Sequence, residues 1–67
     1  MTKILIVSDN LDLVSFMQDL TKAQTQYHID FSYSEINKYP EKFIRLGMSP
    51  INFKDPYLVK ETIKNYN

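Results

Sequence analysis

The 67-residue sequence contains no cysteine, no tryptophan, one glycine and one histidine. Without cysteine there can be no disulfide staple and no thiolate metal site. A single histidine, His28, with no second ligand at binding spacing leaves no structural zinc centre. The absence of cysteine also suits a reducing compartment. No run of about 20 apolar residues exists to span a membrane. The apolar stretch Ile4, Leu5, Ile6, Val7 is too short for a signal-peptide core and ends in Ser8, Asp9 and Asn10, so the chain is expected to be cytoplasmic.

An excess of charge of either sign is missing too. Eight basic and eight acidic residues cancel, which leaves no global field toward nucleic acid or an anionic membrane, and neither is expected as a partner. Lys38, Lys42 and Arg45 form the one basic grouping; Glu35 and Glu41 dilute it, and it reads as a solvated loop. The only glycine, Gly47, lies far from the first turn, which excludes both a G-x-G-x-x-G dinucleotide fingerprint and a P-loop. Aromatic residues are numerous, but Tyr27, Phe31, Tyr33, Phe43 and the rest are spaced for packing rather than as a stacking platform for bases.

Size sets a further bound. Folding an 8.0 kDa chain withdraws about 7,000 Å² from water, and if about 60% of it is apolar the gain is roughly 100 kcal/mol. Ordering the chain at about 1.5 kcal/mol per residue costs roughly the same. With no staple to tip the balance, the isolated segment is expected to be marginally stable.

What is present is an α/β alternation. Ile4 to Val7 form an unbroken, largely β-branched apolar run, the pattern of a central strand covered on both faces in a parallel sheet. Ser8, Asp9 and Asn10 offer three N-caps, and Asp12 places a carboxylate in the first helical turn. From Leu11 to about Ala23, the residues Leu13, Val14, Phe16, Met17 and Leu20 recur at helical spacing. Tyr27, Ile29, Phe31 and Tyr33 then alternate with polar residues as a strand buried more on one face. Strand, helix and strand within about 30 residues match a right-handed βαβ crossover.

Residues Ser34 to Gly47 read as a loop with one helical turn at Phe43, Ile44 and Leu46. Ile51 and Phe53, alternating with Asn52 after Pro50, suggest a short strand or extended arm. Asp55 followed by Pro56 starts a second long helix, with Leu58, Val59, Thr62, Ile63 and Tyr66 as its apolar stripe. At Asn67, where the alternation would supply the next strand, the sequence stops. The expectation is therefore a Rossmann-like α/β fragment with a parallel sheet, residues 1–67 being the N-terminal portion of a larger domain.

Open α/β sheets gather ligands at the carboxyl ends of their strands, which makes Ser8, Asp9 and Asn10 the candidate substrate-binding residues. Asn10 is the preferred direct contact, because its amide both donates and accepts and the helix N-terminus behind it favours a phosphate. Asp9 would repel a diphosphate and is expected to cap the helix or orient a neighbour. Capping alone is the competing reading for this turn. His28, between Tyr27 and Ile29 on a strand, reads as a surface or interface residue. Asp9 invites comparison with the acidic pocket of a response-regulator receiver, but it stands alone beside Asn10 where receivers pair two acids.

Lys3 to Leu11, the helix with Leu13, Val14 and Phe16, and the later Ser49-Pro50-Ile51-Asn52-Phe53-Lys54-Asp55 followed by a helix resemble the start of a formyltransferase. Within that superfamily the sequence is most similar to bacterial sugar N-formyltransferases acting on dTDP-4-amino-4,6-dideoxyhexoses, and methionyl-tRNA formyltransferases share the order of parts. The resemblance implies formyl transfer from N10-formyltetrahydrofolate to the sugar amine, a role in lipopolysaccharide O-antigen biosynthesis, and a full-length protein for which a homodimer is compatible. It also implies a catalytic Asn-x-His and a later Asp. None is assignable here: Asn10, Asn37, Asn52, Asn65 and Asn67 lack a His two residues on, and His28 follows Gln26 at that spacing. The catalytic strand is expected downstream. The alternative is a non-catalytic α/β ligand-binding or receiver-like interaction module.

Overall fold

The computed structural model describes residues 1–67. Three strands and three helices follow in the order β1 (Thr2–Val7), α1 (Leu11–Thr21), β2 (Tyr27–Ser34), α2 (Pro40–Ile44), β3 (Ser49–Ile51) and α3 (Pro56–Ile63). The strands form one sheet in the order β1-β2-β3, parallel throughout, with Ile4 beside Ile29 and Ile6 beside Phe31, and Ser32 to Ser34 beside Ser49 to Ile51. The parallel α/β architecture expected from the sequence is thus present, and Ile4 to Val7 does run parallel to Ile29 to Phe31.

The place of β1 differs from the expectation. β2 occupies the middle of this sheet and β1 an edge. Ile4, Leu5 and Ile6 are accordingly half-buried and Val7 is exposed. An apolar run reports that a strand is meant to be covered on both faces; it does not report which neighbours lie within the same segment.

α1 starts where Asn10, in extended conformation, accepts the Leu13 amide through its side chain, and ends at Thr21 with Lys22 as C-cap. That is two residues short of the expected Ala23, because Gln24 leaves the helical path to bond Tyr27 with both its side-chain oxygen and its amide. The expected turn around Phe43 is the five-residue α2, with Pro40 in its first turn. Gly47, at φ 78°, adopts the left-handed conformation that lets the chain reverse from α2 into β3. β3 stops at Ile51, so Phe53 lies in the following turn, exposed, rather than in the strand.

The core is small and one-sided. Val14, Tyr33, Phe43 and Met48 form it, with Leu11, Phe31 and Leu46 packed around them. Tyr33 and Phe43 stack at 5.1 Å between ring centroids and 24° between planes, and Gln18 Nε2 donates to the Leu46 carbonyl at 2.9 Å, fastening α1 to the α2–β3 turn. These contacts place α1 and α2 on the sheet face that carries Ile29, Phe31 and Tyr33. The opposite face carries Asp30, whose carboxylate accepts from the Tyr66 hydroxyl at 2.6 Å just beyond α3. No residue of α3 is buried.

Candidate functional site

The carboxyl ends of the parallel strands bring the β1–α1 turn, the β2–α2 loop and the β3–α3 turn to one edge of the sheet, and the three predicted residues stand there. Ser8 extends the ladder, its backbone N–H donating to the Ser32 carbonyl at 3.0 Å. Its Oγ accepts the Asn10 amide at 3.1 Å, which tightens the turn. Asn10 Oδ1 accepts the Leu13 amide at 3.0 Å as the N-cap of α1. This commits the carbonyl end of the side chain and leaves Nδ2 to donate.

Asp9 does not cap the helix. Its Oδ1 accepts the Ser34 backbone N–H at 3.0 Å and Asn37 Nδ2 at 2.9 Å, so it joins the turn after β1 to the loop after β2. Asn37 Oδ1 in turn accepts the Tyr39 amide at 2.8 Å. Asn37 therefore belongs to this edge, although no local pattern marked it: its partner is 28 residues away. At the third turn, Asn52 accepts the Lys54 amide and Asp55 caps α3 by accepting the Leu58 amide at 3.1 Å. The edge presents fixed loops, one donating amide on Asn10 and the N-terminus of an 11-residue helix, a set suited to hydroxyl, carbonyl or phosphate oxygens.

Two other groupings lie away from it. A cavity of about 430 Å³ opens between the end of α1 and the first half of β2, with Thr21, Lys22, His28 and Leu46 in its wall. It exists because β3 pairs only with residues 32 to 34, and it faces the amino ends of the strands. Asp30 meets Tyr66 on one oxygen and His28 Nε2 on the other, at 3.1 Å. The hydrogen bond to Asp30, with burial and the Asp30 charge in support, pushes the Tyr66 hydroxyl up to about 12. His28 is half-exposed, as expected of a surface residue. Lys42 of the basic grouping lies over the Tyr39 ring at 5.1 Å. No three His, Cys, Asp or Glu side chains converge to hold a metal, and no helix is long and apolar enough to cross a membrane.

No family model matches the chain, and no curated protein does. Among solved structures, the chain is similar to a sugar N-formyltransferase from Shewanella sp FDAARGOS_354, with 40% sequence identity, a TM-score of 0.85 and 98% of the chain covered. The chain spans 28% of that protein's length. The resemblance found in the opening strand, helix and Ser49–Asp55 segment thus extends over nearly every residue, and the α/β fragment corresponds to the N-terminal region of that enzyme.

Proposed function

We propose that the chain forms the N-terminal part of a sugar N-formyltransferase that moves a formyl group from N10-formyltetrahydrofolate to the amine of a dTDP-4-amino-4,6-dideoxyhexose. The observation that carries this reading is the match in sequence and in backbone to a sugar N-formyltransferase over 98% of the chain. Identity of 40% accompanied by a near-superimposable fold favours shared chemistry in a way that fold likeness alone would not.

In this reading the chain supplies scaffold and one wall of the substrate site. Asn10 Nδ2 and the α1 N-terminus contact the sugar nucleotide, while Ser8 and Asp9 hold the turn, Asp9 by fixing Asn37 and the Ser34 amide. None of these groups is suited to take a proton from the amine. Formyl transfer needs a neutral amine as nucleophile, a base to accept its proton and a donor group facing the developing oxyanion. Those roles fall to the Asn-x-His and Asp that the resemblance places after this segment, and the folate donor supplies the formyl carbon there. No residue described here is assigned to the folate.

A receiver-like module finds no support at this edge, since Asp9 has no acidic partner and spends one oxygen on the loop after β2. Reading the coding frame past codon 67 tests the proposal. An apolar strand followed by Asn-x-His is expected. A frame continuing without that motif would remove the enzymatic reading.

A further inference from the structure

The side of the sheet away from β1 is an edge in two steps, because β3 pairs only with Ser32 to Ser34 and leaves Tyr27 to Asp30 of β2 without a neighbouring strand. Backbone groups alternate sides along a strand. The Ser32 carbonyl faces β1, where it accepts the Ser8 amide, so the N–H and C=O of Tyr27 and Ile29 point outward. The cavity beside β2 runs along this stretch, with Gln24, Tyr27, Ile29 and Gly47 in its wall.

Tyr27 is not left open. Gln24 Oε1 accepts the Tyr27 N–H at 2.9 Å and Gln24 Nε2 donates to the Tyr27 carbonyl at 2.9 Å. This side-chain carboxamide makes the pair of bonds that the facing residue of an antiparallel strand would make. The Gln24 backbone is itself held in the turn, its amide donating to the Thr21 carbonyl at 3.2 Å. Ile29 is left with its outward groups free, and a single residue is too short to seat a strand. The outer step is closed by other means. The Ile51 carbonyl accepts the Glu35 amide and so faces β2, which turns Pro50 outward with no N–H to offer.

We propose that Gln24 is an edge guard: by occupying the Tyr27 backbone it keeps a second copy of this chain from adding its β2 antiparallel to the outer edge of β2. The segment needs such a guard. Tyr27 to Tyr33 is rich in aromatic residues and holds no Gly, Pro or Lys, and its one carboxylate, Asp30, is engaged by Tyr66 and His28. A run of this kind at an open edge is a template for another chain. A second copy is the partner excluded, because a two-fold axis sets two identical edges antiparallel and continues Tyr27, Ile29 and Phe31 across one face. The role is independent of the formyl transfer proposed above.

Sedimentation velocity and amide hydrogen exchange test this on residues 1–67 joined at Asn67 to the portion of the Shewanella enzyme that the chain does not match, with and without Gln24→Ala. In the unsubstituted fusion the Tyr27 amide is expected to exchange at least about tenfold slower than the Ile29 amide. Gln24→Ala should form species larger than the parent fusion, their share rising with concentration, in which the Ile29 amide slows by at least about tenfold. A variant that keeps the parent's size at every concentration, with the Tyr27 and Ile29 amides both fast, would overturn the proposal and reduce Gln24 to a clasp of the turn. Larger species in which Ile29 stays fast would overturn it as well, since the copies then meet through another surface. Should Gln24→Ala not fold, Gln24→Met keeps the stem without either bonding group and carries the same comparison.

Discussion

The Asp9 carboxylate, on the turn after β1, accepts the Asn37 side-chain amide at 2.9 Å and the Ser34 backbone N–H at 3.0 Å through the same oxygen. One acidic side chain thereby sets the spacing between two of the three loops at the carboxyl edge of the sheet. Asp9→Ala removes the acceptor from both donors and is expected to cost about 1 to 3 kcal/mol, the range for hydrogen bonds to a charged group. Urea unfolding of a fusion that joins residues 1–67 to the portion of the Shewanella enzyme the chain does not match measures it. A change below about 0.5 kcal/mol, ordinary for a surface substitution, would mean the link does not hold the loops.

Asn10 caps α1, and the proposed sugar-nucleotide contact through Nδ2 is a second role that substitutions can separate from the cap. Asn10→Ala loses both the cap and the amide donor, so stability should fall by about 1 kcal/mol and dTDP-sugar affinity by about 1 to 3 kcal/mol. Asn10→Ser keeps an oxygen for the Leu13 amide but loses Nδ2, and should weaken binding with little change in stability. Calorimetric titration of both variants checks this. Undiminished affinity in Asn10→Ser would reduce Asn10 to a cap.

The sequence made some of this legible and left the rest hidden, for physical reasons. The switch from the Ile4–Val7 run to helical spacing and then to alternation is local, and it specified β1, α1 and β2 together with their parallel pairing. Asp55 before Pro56 likewise announced α3. The edge position of β1 was not legible, because burial on both faces is encoded in a strand whether or not its neighbours lie nearby in the chain. Asn37 and Tyr66 were hidden because their partners, Asp9 and Asp30, stand 28 and 36 residues away. The role of Asp9 was foreseen only as a choice between capping the helix and orienting a neighbour, and long-range contact decided it.

Residues 1–67 in isolation should unfold with little cooperativity, since only six residues are buried and α3 contributes none of them. Phe43→Ala, which empties a position stacked on Tyr33, would cost about 3 to 5 kcal/mol and should leave no folded population. Circular dichroism during a urea titration reads both. A sharp transition above about 5 kcal/mol for the unaltered segment would show that it stands as a complete domain.

The Tyr66–Asp30 bond makes a pH prediction. The folded-state value of Tyr66 is raised to about 12 from 10.0, so above about pH 10 the unfolded chain loses this proton while the folded chain keeps it. The resulting stability is fully present below pH 10 and is lost as pH rises from 10 to about 12. Tyrosinate absorbance should show one of the five tyrosines titrating late, and Tyr66→Phe should abolish that component. A late component that survives in Tyr66→Phe would place the shift elsewhere.

The central claim is that these residues are the opening of a sugar N-formyltransferase, and formyl transfer by the fusion carrying residues 1–67 measures it most directly. Mass spectrometry of a dTDP-4-amino-4,6-dideoxyhexose incubated with N10-formyltetrahydrofolate should show the N-formylated sugar nucleotide with the fusion, and none with the unmatched Shewanella portion alone. A folded fusion that forms no formylated product, beside an active parent enzyme, would contradict the account.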